Sequence, residues 1–215
     1  MRVEAKICGL TRPEDAAFAA RCGAWRLGVI FAGGPRLLTA ARAREIVDAA
    51  GGVPVLGVFG PQPVATMLET IERSGVAGAQ LHGEHPREVA AALRAQGLEV
   101  WRVVAVAPGI DLASELAAAA SDADALLVEA RSPGGSGGKG IAVPLDVARA
   151  ARVAAPHVRF VLAGGLTADS VGSAIRAVGP DVVDVSSGIE KSAGVKDHAR
   201  LARFLENVFA ARSTA

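Results

Sequence analysis

The sequence predicts an α/β protein built as a single (β/α)8 TIM barrel of the phosphate-binding type. Eight short apolar runs alternate strictly with eight stretches rich in Ala, Arg and Glu. The runs are continuously apolar, as in a parallel sheet that is covered on both faces. The length of 215 residues suits one such barrel, so we expect a single catalytic domain over 1–215. Glycines and serines follow the last two runs, where this fold binds phosphate.

The predicted elements follow one another as strand and helix along the whole chain. Strands are expected at 3–7, 26–31, 53–59, 78–81, 100–106, 125–129, 159–163 and 182–185. Helices are expected near 13–22, 40–50, 62–74, 86–96, 111–121, 144–154, 168–178 and 196–211. An open doubly wound sheet is the alternative, but it usually has fewer units and often a G-x-G-x-x-G first turn. Here that turn reads Cys-Gly-Leu-Thr, which favours the barrel.

Composition and charge argue against several classes of partner. The chain is 51% hydrophobic, and its 23 basic and 22 acidic residues leave a net charge of +1, which gives no case for nucleic acid or an anionic membrane. No apolar run reaches the roughly 18 residues of a membrane span, and no signal peptide is evident. The two cysteines form neither a disulfide framework nor a zinc spacing. We therefore expect a cytoplasmic protein with reduced thiols.

The first predicted strand ends at Cys8, at the rim where parallel barrels carry their chemistry. Cys8 is therefore a candidate catalytic thiol, although a lone cysteine is more often a small buried hydrophobe. Lys6 shares its face of the strand, where it either lowers the pKa of the thiol or extends its charge to the rim. Thr11 is expected to cap the next helix, which has Pro13 in its first turn. Cys22 is expected only to pack.

Polar residues also follow the second and fourth predicted strands. Arg36 lies in a Gly-Gly-Pro-Arg loop, and its guanidinium suits a carboxylate or phosphate, whereas most single loop arginines are solvated. Gln80 and His82 alternate along one strand and so share its inner face, which favours a ligand site or a hydrogen-bonded interior pair. His85 is expected at the surface.

The sixth predicted strand ends at Glu129, and a glycine-rich loop follows it. A carboxylate there is not needed for packing, so Glu129 is a candidate general acid or base; the alternative is a solvated loop residue. Five of the seven residues at 134–140 are glycine. Their backbone N–H groups can approach an anion closely, which makes Gly135 a candidate ligand contact, but such a loop can also simply be flexible.

The turns after the last two strands give the strongest physical signal. In this fold these two loops form the common phosphate site from glycine amides and a short helix N-terminus. Packing explains either turn alone, but two such turns at equivalent strand ends favour phosphate. The candidate contacts are Gly164, Gly165, Ser186, Ser187 and Gly188, with Asp184 in the eighth strand.

Taken together, these motifs resemble the phosphoribosylanthranilate isomerase family over nearly the whole chain. The resemblance rests on the order and spacing of KICGLTRPED (6–15), GVIFAGGPR (28–36), GVF (57–59), QLHG (80–83), LAGGL (162–166) and VDVSSGIE…GVKD (183–197). It implies an Amadori rearrangement of N-(5-phosphoribosyl)anthranilate in tryptophan biosynthesis, without cofactor or metal. The expected partner is a phosphosugar substrate, and the expected assembly is a monomer or a homodimer.

The resemblance also implies roles for the candidates. Cys8 would be the general base that takes the sugar C2 proton, Arg36 would hold the anthranilate carboxylate, and the last two turns would surround the phosphate. The chain departs from the family at Glu129, where an Asp normally protonates the ribose ring oxygen. Glutamate keeps the acid function with one more methylene group. The second-strand loop also differs, with Gly-Pro-Arg where Ser-Pro-Arg is common.

Two other functions fit the sequence. One is another phosphosugar isomerase, such as a bifunctional enzyme that also serves histidine synthesis; these usually pair two aspartates, and the motif around Cys8 argues against that. The other is a non-catalytic phosphate-binding barrel that has lost its acid, for which Glu129 is the best support.

Overall fold

A closed sheet of eight parallel strands forms the framework of the protein, for which the computed structural model describes residues 3–107, 109–130 and 142–211. Each strand pairs with the next in the chain, and the eighth pairs with the first, which confirms the predicted barrel and excludes the open sheet. The strands are β1 (Glu4–Ile7), β2 (Arg26–Ile30), β3 (Val55–Phe59), β4 (Gly78–Leu81), β5 (Glu99–Val106), β6 (Ala125–Ala130), β7 (Arg159–Leu162) and β8 (Val182–Val185).

A helix follows every barrel strand. The helices are α1 (Pro13–Arg21), α2 (Ala40–Ala49), α3 (Val64–Ser74), α4 (Arg87–Ala95), α5 (Leu112–Ala120), α6 (Leu145–Ala154), α7 (Ala168–Val178) and α8 (His198–Ala210). Local sequence explains several of their ends. Thr167 caps α7 in a reciprocal capping box with Ser170, and Gly179 ends it in the left-handed conformation. Among the described residues, no helix is long and apolar enough to cross a membrane.

The core has two layers, which follow from the alternation of side chains along the strands. One set of strand residues packs against the helices. The other set fills the barrel interior and consists of Leu56, Trp101, Ala125, Leu127, Val161, Ala163 and Val182. Glu129 follows Leu127 by two residues, so its side chain lies on the inner face of β6.

A small hairpin between β8 and α8 was not predicted. Its antiparallel strands are β9 (Glu190–Ser192) and β10 (Val195–Lys196). The hairpin packs on the loop between β1 and α1, and this contact explains why the prediction for Thr11 is wrong. The Thr11 hydroxyl donates to the Gly194 carbonyl at 2.5 Å, and Arg12 occupies the N-cap position of α1 without a side-chain cap.

Candidate active site

The candidate residues of the sequence analysis lie at one rim of the barrel. The eight barrel strands are parallel, so their carboxyl ends meet at the same end of the barrel. Cys8 follows β1 directly, Glu129 is the last residue but one of β6, and the two glycine and serine turns follow β7 and β8. Gly135 belongs to residues 131–141, which lie outside the described part of the chain.

Lys6 is buried inside the barrel, with 0% of its surface exposed, so the expectation of a charge that extends to the rim is wrong. Its ammonium group donates to Asp184 Oδ1 at 2.8 Å and to Gln80 Oε1 at 2.9 Å, and it interacts electrostatically with Cys8. Burial alone would lower the pKa of Lys6, but the charges of Asp184 and Cys8 outweigh it and raise this pKa to about 12. Lys6 is therefore a fixed cation directly beside the thiol.

The Cys8 thiol is held in a close-packed, buried position. Burial raises its pKa above the usual 9.0; Lys6 lowers it, but Asp184 raises it again. The expected lowering by Lys6 is thus real but is outweighed by burial, to which the charge of Asp184 adds. A Cβ atom at Gly28 would lie 2.9 Å from Cys8 Sγ and 3.1 Å from Lys6 Cε, so the neighbouring strand must have glycine at this position.

Gln80 lies in β4 and His82 directly follows it, and the two side chains bind different partners. Gln80 accepts from Lys6, whereas His82 Nε2 lies 2.8 Å from Glu129 Oε1. The hydrogen bond with Glu129 raises the pKa of His82, although burial opposes this. The neighbouring carboxylate therefore favours the protonated form of His82 at the rim of the barrel.

His85 is buried, with 8% of its surface exposed, so the prediction of a surface histidine is wrong. The turn before α4 folds the ring back toward the preceding strand, where Nε2 lies 3.3 Å from the His82 carbonyl oxygen. Burial lowers the pKa of His85. Beside it lies a cavity of about 460 Å³, which Glu129, His82 and Arg102 also line.

The Arg36 side chain is largely buried and is bound by a carboxylate of the protein. Its side chain is 11% exposed, and its Nε and Nη2 donate to the two carboxylate oxygens of Glu190 at 2.8 and 2.6 Å. Lys196, also buried, donates to Glu190 Oε1 at 2.8 Å and to the Ser186 carbonyl at 3.1 Å. Sequence reasoning missed Glu190 and Lys196 as site residues. Both belong to the last family motif, which was the one available signal.

The turns after β7 and β8 form one unit. Gly164 and Gly165 have φ angles of +91° and +62°, which favour glycine. A Cβ atom at Gly188 would lie 1.9 Å from the Leu166 carbonyl oxygen, so the two turns approach as closely as backbone allows. A short 3-10 turn at Ser187–Ile189 follows β8.

Ser186 has a buried hydroxyl that finds no hydrogen-bond partner among the described residues. It lies against Gly9 and Arg36, since a Cβ atom at Gly9 would be 2.6 Å from both Ser186 Oγ and Arg36 Cδ. An unpaired buried hydroxyl is costly, so this atom is well placed to bind a ligand.

Asp15, in the first turn of α1, connects the loop after Cys8 to the hairpin. Its carboxylate accepts both a bidentate pair from Arg12 and the backbone N–H of Lys196, and it lies 2.8 Å from His198 Nε2. Burial alone would raise the pKa of Asp15, but these hydrogen bonds together lower it. The first and last loops of the rim are thereby joined.

Comparison with known proteins agrees with this geometry. The sequence model of the family described as N-(5'phosphoribosyl)anthranilate (PRA) isomerase matches residues 5–207. A protein from Geobacter metallireducens named N-(5'-phosphoribosyl)anthranilate isomerase is 36% identical over 208 residues, which are 94% of this chain and 97% of that protein.

Two solved structures show the same barrel. Phosphoribosyl anthranilate isomerase from Thermus thermophilus has a TM-score of 0.83 and 32% identity, covering 98% of this chain and 100% of that one. A phosphoribosyl anthranilate isomerase in complex with reduced 1-(o-carboxyphenylamino)-1-deoxyribulose 5-phosphate has a TM-score of 0.80 and 30% identity, covering 96% and 98%. With matches that extend over nearly its whole length, the chain belongs to the N-(5'-phosphoribosyl)anthranilate isomerase family.

Proposed function

We propose that this chain converts N-(5'-phosphoribosyl)anthranilate to 1-(2-carboxyphenylamino)-1-deoxyribulose 5-phosphate in tryptophan biosynthesis, as one catalytic domain. Besides family membership, one observation carries the proposal. A thiol and a carboxyl group, Cys8 and Glu129, come from separate strands to the same rim, as an acid and a base on two sides of a sugar must.

Glu129 acts first, as the general acid. It gives a proton to the furanose ring oxygen, the ring opens, and the nitrogen lone pair forms a Schiff base at C1. His82 lies 2.8 Å from this carboxyl group and orients it. The pair then recovers its proton from solvent, because both side chains keep some exposure.

Cys8 acts second, as the general base. The positively charged Schiff base makes the C2 proton acidic, and the Cys8 thiolate removes it. The electrons of the C–H bond form an enolamine, which relaxes to the ketone as C1 gains a proton and the C2 hydroxyl loses one. Lys6, beside the sulfur, stabilises the thiolate during this step.

The two ends of the substrate are bound by separate parts of the rim. Arg36 holds the anthranilate carboxylate, and the turns with Gly164, Gly165 and Ser186–Gly188 hold the phosphate through backbone N–H groups and hydroxyls. The unpaired hydroxyl of Ser186 supports this assignment. The backbone N–H of Gly135, which lies outside the described residues, stays a predicted further contact.

The two alternatives weighed from the sequence have less support. A barrel that had lost its acid would have no reason to hold Glu129 on the inner face against a histidine. An enzyme with an aspartate pair would need two free carboxyl groups. Asp184, which faces the interior of the rim, is instead bound by Lys6.

The proposal is tested by conversion of freshly prepared N-(5'-phosphoribosyl)anthranilate, followed by the loss of its fluorescence. We expect turnover by the unaltered chain and a loss of about 100-fold or more in Glu129→Gln and in Cys8→Ala. Glu129→Gln should still bind the reduced product analogue, and Glu129→Asp should remain active. Cys22→Ala is the matched control and should change little. Absence of turnover in the unaltered chain would overturn the proposal.

A further inference from the structure

The guanidinium of Arg36 already has a carboxylate partner within the protein. Glu190 takes the N–H groups at Nε and Nη2, both on one side of the planar group. An arginine has five N–H groups in a fixed arrangement, so three of them are left for other acceptors. A substrate carboxylate bound by Arg36 would therefore meet the remaining edge, formed by Nη1 and Nη2.

Glu190 is fixed in the fold and does not resemble a residue that a substrate displaces. It is buried, and its Oε1 also accepts from Lys196 Nζ at 2.8 Å and from the Gly194 backbone N–H at 3.2 Å. Its own carbonyl accepts from Arg200 at 2.8 Å. Burial alone would raise the pKa of Glu190, but Arg36 and Lys196 lower it, so the group is ionised at neutral pH.

Arg36 has no comparable support from its own loop. Gly33 and Gly34 precede it with φ angles of +107° and +81°, and a Cβ atom at either would meet nothing within 4 Å. A long side chain on such a loop loses much conformational freedom when it binds a ligand, unless another group holds it beforehand. Glu190 is that group, since the bidentate pair fixes both the position and the plane of the guanidinium.

Lys196 solves the electrostatic problem that this arrangement creates. Arg36 and Glu190 together are neutral, and a neutral pair attracts a carboxylate weakly. The buried Lys196 side chain donates to the same carboxylate. Burial lowers the pKa of Lys196, and the charge and hydrogen bond of Glu190 oppose this; the protonated lysine returns the cluster to a net charge of +1. Lys196 also donates to the Ser186 carbonyl, which connects the cluster to the turn proposed to hold the phosphate.

We propose that Glu190 is a positioning residue that orients Arg36 toward the carboxylate of the substrate, with Lys196 keeping the cluster positive. The proposal rests on the proposed function, in which Arg36 binds that carboxylate. Glu190 does not touch the reacting atoms. It determines specificity, because it favours substrates whose aromatic amine carries a carboxylate.

Two ligands isolate this role. One is reduced 1-(o-carboxyphenylamino)-1-deoxyribulose 5-phosphate, and the other is the same compound made from aniline, which lacks the carboxylate. Calorimetric titration gives the ratio of their affinities for each variant. Any general damage to the barrel or to the phosphate site changes both affinities and cancels in the ratio.

In the unaltered chain we expect the carboxylated ligand to bind at least about tenfold more tightly, the effect of one charge-assisted hydrogen-bonded pair. Glu190→Gln should lose most of this preference. Lys196→Met should lose it as well, because the variant removes the charge that makes the cluster positive. In kinetics, Glu190→Gln should raise KM with little change in kcat. The matched control is Glu99→Gln, which removes another Glu–Arg pair, with Arg26, at the opposite end of the barrel.

Equal weakening of both ligands in Glu190→Gln and in Lys196→Met would overturn the proposal, since the residues would then be only structural. An unchanged preference in both would overturn it as well. In either case turnover by the unaltered chain leaves the proposed function standing. If the unaltered chain neither turns over substrate nor prefers the carboxylated ligand, the function itself is wrong and the role of Glu190 is wrong with it.

Discussion

On the β1–β8 side of the barrel, the side chains of Lys6 and Asp184 are 0% and 10% exposed, whereas on the β4–β6 side those of His82 and Glu129 are 26% and 17% exposed. In each pair the nitrogen atom of the base lies 2.8 Å from a carboxylate oxygen. The first holds permanent charges, because its surroundings raise the pKa of Lys6 to about 12. The second contains a histidine, which gains and loses a proton near neutral pH.

This difference matches the demands of the two proton transfers. A base that takes a proton from carbon benefits from a dry position beside a fixed cation, where its thiolate is reactive but not solvated. An acid must be reprotonated after every turnover, which requires contact with solvent. One rim thus provides a closed environment for Cys8 and a partly open one for Glu129.

The largest expected effect comes from breaking the buried pair. Lys6→Met leaves Asp184 buried without its cation, which should cost about 3–5 kcal/mol of unfolding free energy. It also removes the charge beside Cys8, so turnover should fall by about 100-fold or more. Urea unfolding and steady-state kinetics measure the two effects.

A double variant separates the effect on stability from the effect on turnover. Lys6→Met combined with Asp184→Asn removes both charges and should regain much of the stability but none of the turnover. Arg42→Met, which breaks an exposed pair with Glu45 on α2, should cost less than about 1 kcal/mol and serves as the control. If Lys6→Met keeps both stability and turnover, the ion pair has neither role.

The second prediction concerns the open pair and the pH dependence of kcat/KM. The active form needs the His82–Glu129 pair protonated and the Cys8 thiol deprotonated. The pKa of His82 is raised by Glu129, and the pKa of Cys8 is raised above 9.0 by burial. Because the thiol has the higher pKa of the two, the active form is a constant minor fraction between them. The profile should therefore rise with pH up to the pKa of the pair, stay level, and fall above the pKa of the thiol.

His82→Asn tests this assignment. This variant removes the imidazole, which is the group of the pair with a raised pKa. The rising limb should move to lower pH, while the falling limb stays where it was. An unmoved rising limb would show that another group supplies the proton. His85→Asn is the control, since that ring lies nearby but bonds the His82 carbonyl oxygen instead of a carboxylate.

The sequence predicted all sixteen main elements to within two residues at either end, because periodicity and turn residues are local properties. It also placed Cys8, Arg36 and Glu129 at one rim, since strand ends of a parallel barrel meet there. It did not predict how side chains pair across the barrel. Gln80 and Asp184 bind Lys6 from 74 and 178 residues away, and no local pattern encodes such contacts.

The same limit explains the errors. Thr11 has the right residue type for a helix cap, but the hairpin at Glu190–Lys196 supplies a different partner for its hydroxyl. That hairpin was missed because strands of three and two residues are too short to show alternation. His85 was assigned to the surface because it lies in a Glu-His-Pro turn, whereas that turn before α4 buries it.

The smallest expected effect concerns stability at acidic pH and distinguishes the carboxylates of the rim from His82. The pKa values of Glu190 and Asp15 in the folded protein lie below their usual 4.5 and 3.8. Their contribution to stability is therefore present above those usual values and is lost as pH falls through the folded pKa. His82 has a raised pKa, so its contribution to stability is present below the usual 6.5 and is lost as pH rises through the folded value.

The free energy of unfolding, measured with urea, should therefore fall between about pH 5 and about pH 3. In Glu190→Gln this fall should be smaller by on the order of 1 kcal/mol. A loss of the same size in both proteins would mean that folding does not lower the pKa of Glu190, so its pairs with Arg36 and Lys196 would not stabilise the fold and the electrostatic argument for Arg36 would lose its basis.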